Sequence, residues 1–259
     1  MFKYELVNED ECEKIVKFDT VCEADNEQLY ASNALDIGYK YNCKVDPDRT
    51  RYNFFVLSYN DENGNIIFDK ENATSINLIM DRNINSDGTP TTKALLESDK
   101  EENSGIYNLV AYNSSGDASG TGPVTAMTHL NNATISWENI DNLNITYDDE
   151  GEFFTDFALN GKARLPYYSE VDNVGCLDYE RFTCPVWMVD YLSDAGPVYE
   201  TETTYQENPI EDIYGYWTLS SVGNSTNAWY VEYYGSMGDA DTVACGTYYG
   251  ARPVINLKI

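Results

Sequence analysis

Three short blocks near the carboxyl terminus limit the folds open to this chain more than any other part of it. They are Gly215-Tyr216-Trp217-Thr218-Leu219-Ser220-Ser221, Asn227-Ala228-Trp229-Tyr230-Val231-Glu232-Tyr233-Tyr234-Gly235 and Gly250-Ala251-Arg252-Pro253-Val254-Ile255-Asn256-Leu257, with polar loops between them. Each reads as a strand. Side chains alternate across a strand, so Trp229, Val231 and Tyr233 fall on one face of the middle block and Tyr230, Glu232 and Tyr234 on the other. The expectation is that the first set anchors the strand and the second is shown to solvent.

Upstream, Phe54 to Tyr59 and Ser75 to Met80 read as strands, with a hairpin turn at Asp61-Glu62-Asn63-Gly64-Asn65 leading into Ile66-Ile67-Phe68; Asn-Gly is the strongest short-range hairpin signal. Helices are expected from Gly122-Pro123 through Leu130, with Val124, Met127 and Leu130 on one face, over 166–171, and over 185–192, each with proline at its start. Asn8 to Lys17 reads as a short capped helix and Asp25 to Leu35 as an irregular helical piece. The Ser, Gly, Asn and Asp-rich stretches 98–105 and 113–122 read as loops, and 148–152 as a solvated acidic tip. Trp187, Trp217 and Trp229 sit inside apolar patterns and read as core.

A chain of 259 residues can bury a proper core. With 44 acidic against 16 basic residues, its formal charge of −28 repels a phosphate backbone and excludes nucleic acid as a partner. The acids are dispersed, as on a solvated surface. No apolar run approaches the roughly 18 residues that cross a bilayer, and Met1 opens no charged-then-apolar leader, so the expectation is a soluble ectodomain; a cytoplasmic protein would read the same. Six cysteines, at 12, 22, 43, 176, 184 and 245, are an even number, which suits an oxidising compartment. One local pair is expected among Cys12, Cys22 and Cys43. Cys245 is either the partner of the third or a thiol. The single histidine, His129, and the lack of a Cys-x-x-Cys argue against zinc, and His129 reads as structural.

The three blocks, together with Leu78-Ile79-Met80-Asp81-Arg82-Asn83-Ile84, Ala163-Arg164-Leu165-Pro166-Tyr167 and Cys184-Pro185-Val186-Trp187-Met188, resemble in order and spacing the C-type lectin fold of bacterial surface proteins. The chain is most similar to a pilin-associated, surface-anchored Gram-positive family, and more broadly to the variable proteins of diversity-generating retroelements and, distantly, to formylglycine-generating enzymes. The resemblance covers residues from about 50 to the end. It implies an α+β domain of C-type lectin fold over 41–259, with a long loop-rich face and terminal strands paired, Ala251–Ile259 against Phe54–Tyr59. Residues 1–40 would be a small disulfide-pinned segment. It pairs Cys176 with Cys184, makes Arg252 a framework residue bonded to a loop carboxylate or carbonyl, and implies an extracellular, cell-surface location, with membrane contact only through an anchor absent from this chain.

Asp81-x-Asn83-x-Asn85-x-Asp87 has the alternating oxygens of a calcium loop but lacks its glycine and bidentate glutamate, and reads as a turn. No catalytic elbow, phosphate loop or His-Glu-x-x-His occurs, and the oxidase-like relatives need a cysteine pair where only Cys245 stands; the reading is not an enzyme, with no cofactor and no metal. From Tyr214 to Tyr249 the residues are those of antibody paratopes, rich in Tyr, Ser, Gly and Asn. The expected function is therefore binding of a protein or glycan ligand on another cell or phage, through Asn224, Tyr230, Glu232, Tyr234 and Tyr248. These are also the candidate positions of retroelement diversification. The competing class is a structural pilus or envelope subunit packing against other pilus subunits.

Overall fold

The structure is a computed structural model that describes residues 2–8, 13–18, 22–24, 35–47, 51–91, 109–118, 122–145, 159–180, 182–189, 215–223, 226–232, 235–240, 243–244 and 249–259. Helices and mostly antiparallel sheets make it an α+β protein. Among the described residues no helix is long and apolar enough to cross a membrane. The chain divides into two compact units, one of 1–81, 136–142 and 254–259, the other of 82–135 and 143–253.

The first unit is an eight-stranded sheet. Its strands are β1 (Phe2–Asn8), β2 (Glu13–Phe18), β3 (Cys22–Ala24), β4 (Lys40–Cys43), β5 (Tyr52–Asn60), β6 (Ile66–Ile67), β7 (Ser75–Met80) and β14 (Val254–Lys258), the last numbered by its place in the chain. They run in the order β1-β2-β3-β4-β5-β7-β14, with β6 pairing β5. Every residue of β7 is buried, as expected of a strand with neighbours on both edges and cover on both faces. Its buried polar residues are Ser75 and Asn77; Asn77 Nδ2 donates to Ser58 Oγ at 2.8 Å while its Oδ1 accepts from Asn256 Nδ2 at 3.0 Å. That chain of amides crosses β5, β7 and β14 and fixes their register, because a one-residue slip would strand each group without a partner. On one face Trp137 closes over Tyr52 and Phe54, at ring separations of 6.1 and 6.2 Å.

The hairpin expected at Asp61 to Asn65 is present between β5 and β6. Asp61 Oδ1 accepts from the backbone N–H of Asn63 and of Asn65, each at 2.8 Å, and Gly64 supplies the φ of +84° that the turn requires. The Asn65 side chain, whose Nδ2 donates to Asp61 Oδ2 at 2.9 Å, and then these backbone donors hold the Asp61 carboxyl below its ordinary pKa.

Two expectations are corrected here. The helix read over Asn8 to Lys17 is instead β2 over Glu13–Phe18, paired antiparallel with β1; a helix of this length is marginal without tertiary support, and strand pairing satisfies the backbone that an isolated turn would leave to water. The terminal strand pairs with β7, not with Phe54–Tyr59, because β5 already has β4 on one edge and β7 on the other. β4, which begins at residue 40, hydrogen-bonds to β3 on one side and β5 on the other. The Cys22–Cys43 disulfide joins directly opposed residues of β3 and β4, giving the local pair expected among the first three cysteines. Cys12, Cys245 and the helical piece read from residue 25, apart from its last residue, Leu35, lie outside the described residues.

The second unit holds a four-stranded sheet in the order β12-β11-β10-β13. Its strands are β10 (Gly215–Ser221), β11 (Ala228–Glu232), β12 (Met237–Ala240) and β13 (Tyr249–Gly250). Beside it are a two-stranded ladder, β8 (Leu143–Ile145) with β9 (Leu159–Gly161), and helices α1 (Val124–Thr134), α2 (Tyr168–Asn173) and α3 (Val186–Val189). All three helices answer to segments read as helical. In α1, Ala126, Met127 and Leu130 are buried, but Pro123 caps the helix from outside and Val124 is 40% exposed. His129 is half-buried, within 3.2 Å of the Ile84 carbonyl oxygen.

Candidate functional site

The two faces of β11 decide where a binding surface can lie. Tyr230 points inward. It is 8% exposed, its ring 4.1 Å from that of Tyr249 and 6.2 Å, edge-on, from that of Trp217. Trp217 in turn donates its indole N–H to the Val110 carbonyl at 2.7 Å, and Tyr112, packed edge-on against it, donates its hydroxyl to the Leu219 carbonyl at 2.8 Å. The Tyr230 hydroxyl donates to Glu232 Oε1 at 2.7 Å, and burial pushes its ionisation well above the ordinary phenol range. Opposite it in β12, Gly238 makes room, since a Cβ there would stand 2.8 Å from the phenol oxygen. The reading of Tyr230 as a displayed residue is therefore corrected. The block carries aromatic residues at both parities, so alternation fixes two faces without saying which is inner; Val110 to Tyr112 and Tyr249, distant in sequence, cover the Tyr230 side.

Glu232 is half-buried and engaged with Tyr230 and with the Ser236 hydroxyl, 3.3 Å from its Oε2. Asn224, Tyr234 and Tyr248 lie outside the described residues.

The opposite face is built around Trp229, read from the sequence as core but half-buried here. Tyr168 packs on it at 4.7 Å between ring centres and Tyr179 at 6.3 Å. Asp239 stands across from Trp229 in β12, accepting from Asn227 Nδ2 at 2.7 Å and from the Tyr179 hydroxyl. The Tyr168 hydroxyl donates to Asp178 Oδ2 at 3.0 Å, whereas Asp178 Oδ1 is buried and finds no hydrogen-bond partner among the described residues. Burial first, then the carboxylates of Asp172 and Asp239, raise the Asp178 pKa against the lowering effect of Tyr168. The Tyr179 phenol is pushed up to about 12, chiefly by its hydrogen bond to Asp239.

Two devices hold these groups in place. The first is the loop from 177 to 183, closed by the Cys176–Cys184 disulfide that the resemblance implied. Its backbone is docked on the neighbouring strand and turn: Tyr179 N–H donates to Met237 O at 2.8 Å, Met237 N–H to Leu177 O at 3.1 Å, and Thr183 N–H to Gly235 O at 2.8 Å. Within it Tyr179 and Phe182 take φ values of +56° and +64°, a conformation that costs a non-glycine residue about 1–2 kcal/mol. Such strain persists where surrounding contacts over-determine it, and it gathers at functional sites.

The second device positions Tyr168. Arg164 makes a bidentate ion pair with Glu170, both contacts 2.6 Å and both side chains buried. Glu170 Oε2 also accepts the Tyr167 N–H at 2.9 Å, so the carboxylate caps the first turn of α2. Pro166 O accepts from Leu219 N–H at 2.7 Å and Tyr168 N–H donates to Ser220 Oγ at 3.0 Å, which ties that turn to β10.

Two other sequence readings resolve as framework. Arg252 is fully buried, lies over the Tyr216 ring at 4.9 Å and donates to the carbonyls of Met188 and, at 3.0 Å, Trp187. In the calcium-like run, Asn83 Nδ2 donates to Gly215 O at 3.1 Å, Asn85 Nδ2 to Thr89 Oγ1 at 2.6 Å, and Asp87 Oδ1 accepts Thr89 N–H at 2.9 Å. The last two are turn contacts, and the first ties the run to the start of β10.

Sequence reasoning missed Tyr168, Asp178, Tyr179, Asn227 and Asp239. The available signal was the cysteine-bracketed loop: an Asp-Tyr pair in a stretch too short to have a core of its own must face outward or onto a neighbouring strand. No family model matches the chain, and no curated protein or solved structure matches it either.

Proposed function

We propose that this is the ligand-binding domain of an extracellular, cell-surface protein of C-type lectin type, an adhesin or display module without catalytic activity, which engages a protein or glycan through the Trp229 face. The observation that carries the proposal is Tyr179. The residue is 67% exposed, yet it is held by a disulfide-closed loop, an unfavourable backbone conformation and a hydrogen bond to Asp239. Ordering an exposed aromatic side chain contributes little to folding; it lowers the entropy lost when a partner is bound. Trp229 and Tyr168 extend the same surface, and Asn227, Asp178 and Asp239 border it with polar groups. The lectin-type reading draws support from a terminal strand paired antiparallel with an early one and from the Cys176–Cys184 loop ahead of the last strands. The two disulfides fit an oxidising location.

The test is binding of the whole chain to arrayed glycans and to cell-surface proteins, compared with Tyr179→Ala. Loss of signal in a variant with unchanged circular dichroism is the expected result. Binding that survives Tyr179→Ala and disappears in Glu232→Gln would move the surface to the other side of β11. A chain that captures nothing and instead self-associates through Tyr179 would make this a packing surface of a structural subunit.

A further inference from the structure

We infer that the Trp229 face holds an organic cation, an alkylammonium group such as a lysine side chain or a quaternary ammonium, seated on the rings of Tyr179 and Trp229 and neutralised by Asp178 and Asp239. This rests on the proposed role of that face and adds the chemistry of what it holds.

Three observations converge. The rings of Tyr168 and Tyr179 lie 4.7 and 6.3 Å from that of Trp229, both tilted to it, and aromatic faces attract cations through their quadrupole, indole most strongly. Carboxylates of one sign border them: Asp178 and Asp239 accept from Tyr168 and Tyr179, and Asp172 is near enough to raise the Asp178 pKa. Among the described residues no lysine or arginine forms an ion pair with any of the three. One oxygen of this group, Asp178 Oδ1, is buried and has no donor among the described residues. Natural structures seldom leave such an atom unsatisfied without a functional reason. A cation seated on the neighbouring rings compensates the charge of the Asp178 carboxylate, and an ammonium group adds N–H donors that a quaternary methyl shell does not have. A neutral sugar could stack on the same rings but would leave the carboxylates uncompensated and more deeply desolvated. The formal charge of −28 draws cations toward the molecule from a distance and repels anionic ligands.

The experiment is ligand-observed saturation-transfer NMR on the whole chain with three probes: tetramethylammonium, Nα-acetyl-lysine amide, and 2,2-dimethylpropan-1-ol as the neutral isostere. Both cations should bind at least tenfold more tightly than the alcohol, and more weakly as salt is raised. Tyr179→Ala and, separately, Asp178→Asn should each weaken cation binding about tenfold or more, the asparagine variant preserving shape and the Tyr168 hydrogen bond. If only tetramethylammonium binds, the source is a free quaternary ammonium; if acetyl-lysine amide binds as well, a lysine of a partner protein fits. Equal binding of the alcohol overturns the cation assignment while leaving the face a binding surface. Failure of all three probes, with Tyr179-dependent capture of a glycan, overturns this inference and leaves the proposed function standing. Failure of all probes and of every partner overturns both.

Discussion

Truncating Tyr230 is the sharpest perturbation of the interior that separates the two faces of β11. Its ring packs against those of Trp217 and Tyr249, and the residue is 8% exposed. Removing a buried aromatic ring costs about 3–5 kcal/mol, and the aromatic pairs add about 0.5–1.5 kcal/mol each beyond area burial, so Tyr230→Ala is expected to lose about 4 kcal/mol. Tyr230→Phe keeps the ring and removes only the donor to Glu232. That carboxylate is half-buried and lies 3.3 Å from the Ser236 hydroxyl, so the expected loss is about 1–1.5 kcal/mol. Urea unfolding followed by tryptophan fluorescence reads this directly, because Trp187, Trp217 and Trp229, three of the chain's four tryptophans, lie in the second unit. The alanine midpoint should fall well below the phenylalanine midpoint. If both variants unfold within about 0.5 kcal/mol of wild type, as exposed substitutions do, the ring is displayed to solvent and the assignment of faces is wrong.

Asp178→Asn should stabilise the protein at pH 7. The Asp178 carboxyl has a raised pKa in the folded state, so the native protein binds more protons than the unfolded chain just above the ordinary carboxylate range; stability falls as pH rises through that window, and asparagine removes the penalty. The gain, measured by thermal unfolding, should shrink on acidification and vanish below about pH 3.9; a variant less stable than wild type at pH 7 would refute the burial and repulsion argument. His129 has the opposite sign. Burial lowers its pKa, so it folds neutral, and its contribution is present above about pH 6.5, the unfolded value, and lost as pH falls through the folded value. As the single histidine, it gives one imidazole signal in an NMR titration, with a midpoint expected below that of a histidine peptide. Replacing Cys176 and Cys184 together by alanine opens a loop with a sequence separation of 8; loop entropy puts the loss at about 2.5 kcal/mol. Limited proteolysis should then cut within 177–183, and an uncut loop would show that backbone docking alone suffices.

Much of the frame was legible in the sequence because local chemistry dictated it. The Asn63-Gly64 turn, the strands around it and the helix after Pro123 follow from turn chemistry and periodicity, and these are properties of a few adjacent residues. Where long-range pairing decides, local signals failed. Asn8 to Lys17 could have closed a helix, but β1 offered β2 a strand partner; the terminal strand found β7 because β5 had both edges occupied. The site failed for a related reason. Trp229 and Tyr230 are adjacent aromatics of opposite parity, and which one is buried depends on Val110, Tyr112 and Tyr249, none of which neighbours them in the chain. The Cys176–Cys184 bridge was anticipated by resemblance, yet the consequence of the loop it closes, an ordered and exposed Tyr179, appears only when φ, Asp239 and Met237 are seen together.

The most direct measurement is a titration of the whole chain, labelled with carbon-13 on its tyrosine and tryptophan rings, with tetramethylammonium, followed in aromatic proton–carbon NMR spectra. Saturable shifts at Tyr179, Trp229 and Tyr168, with Tyr230, Tyr249 and Trp217 unmoved, are the predicted result. Shifts confined to Tyr230 and Tyr249, or no saturable shift at any ring, would contradict the placement of a cation-binding surface on the Trp229 face.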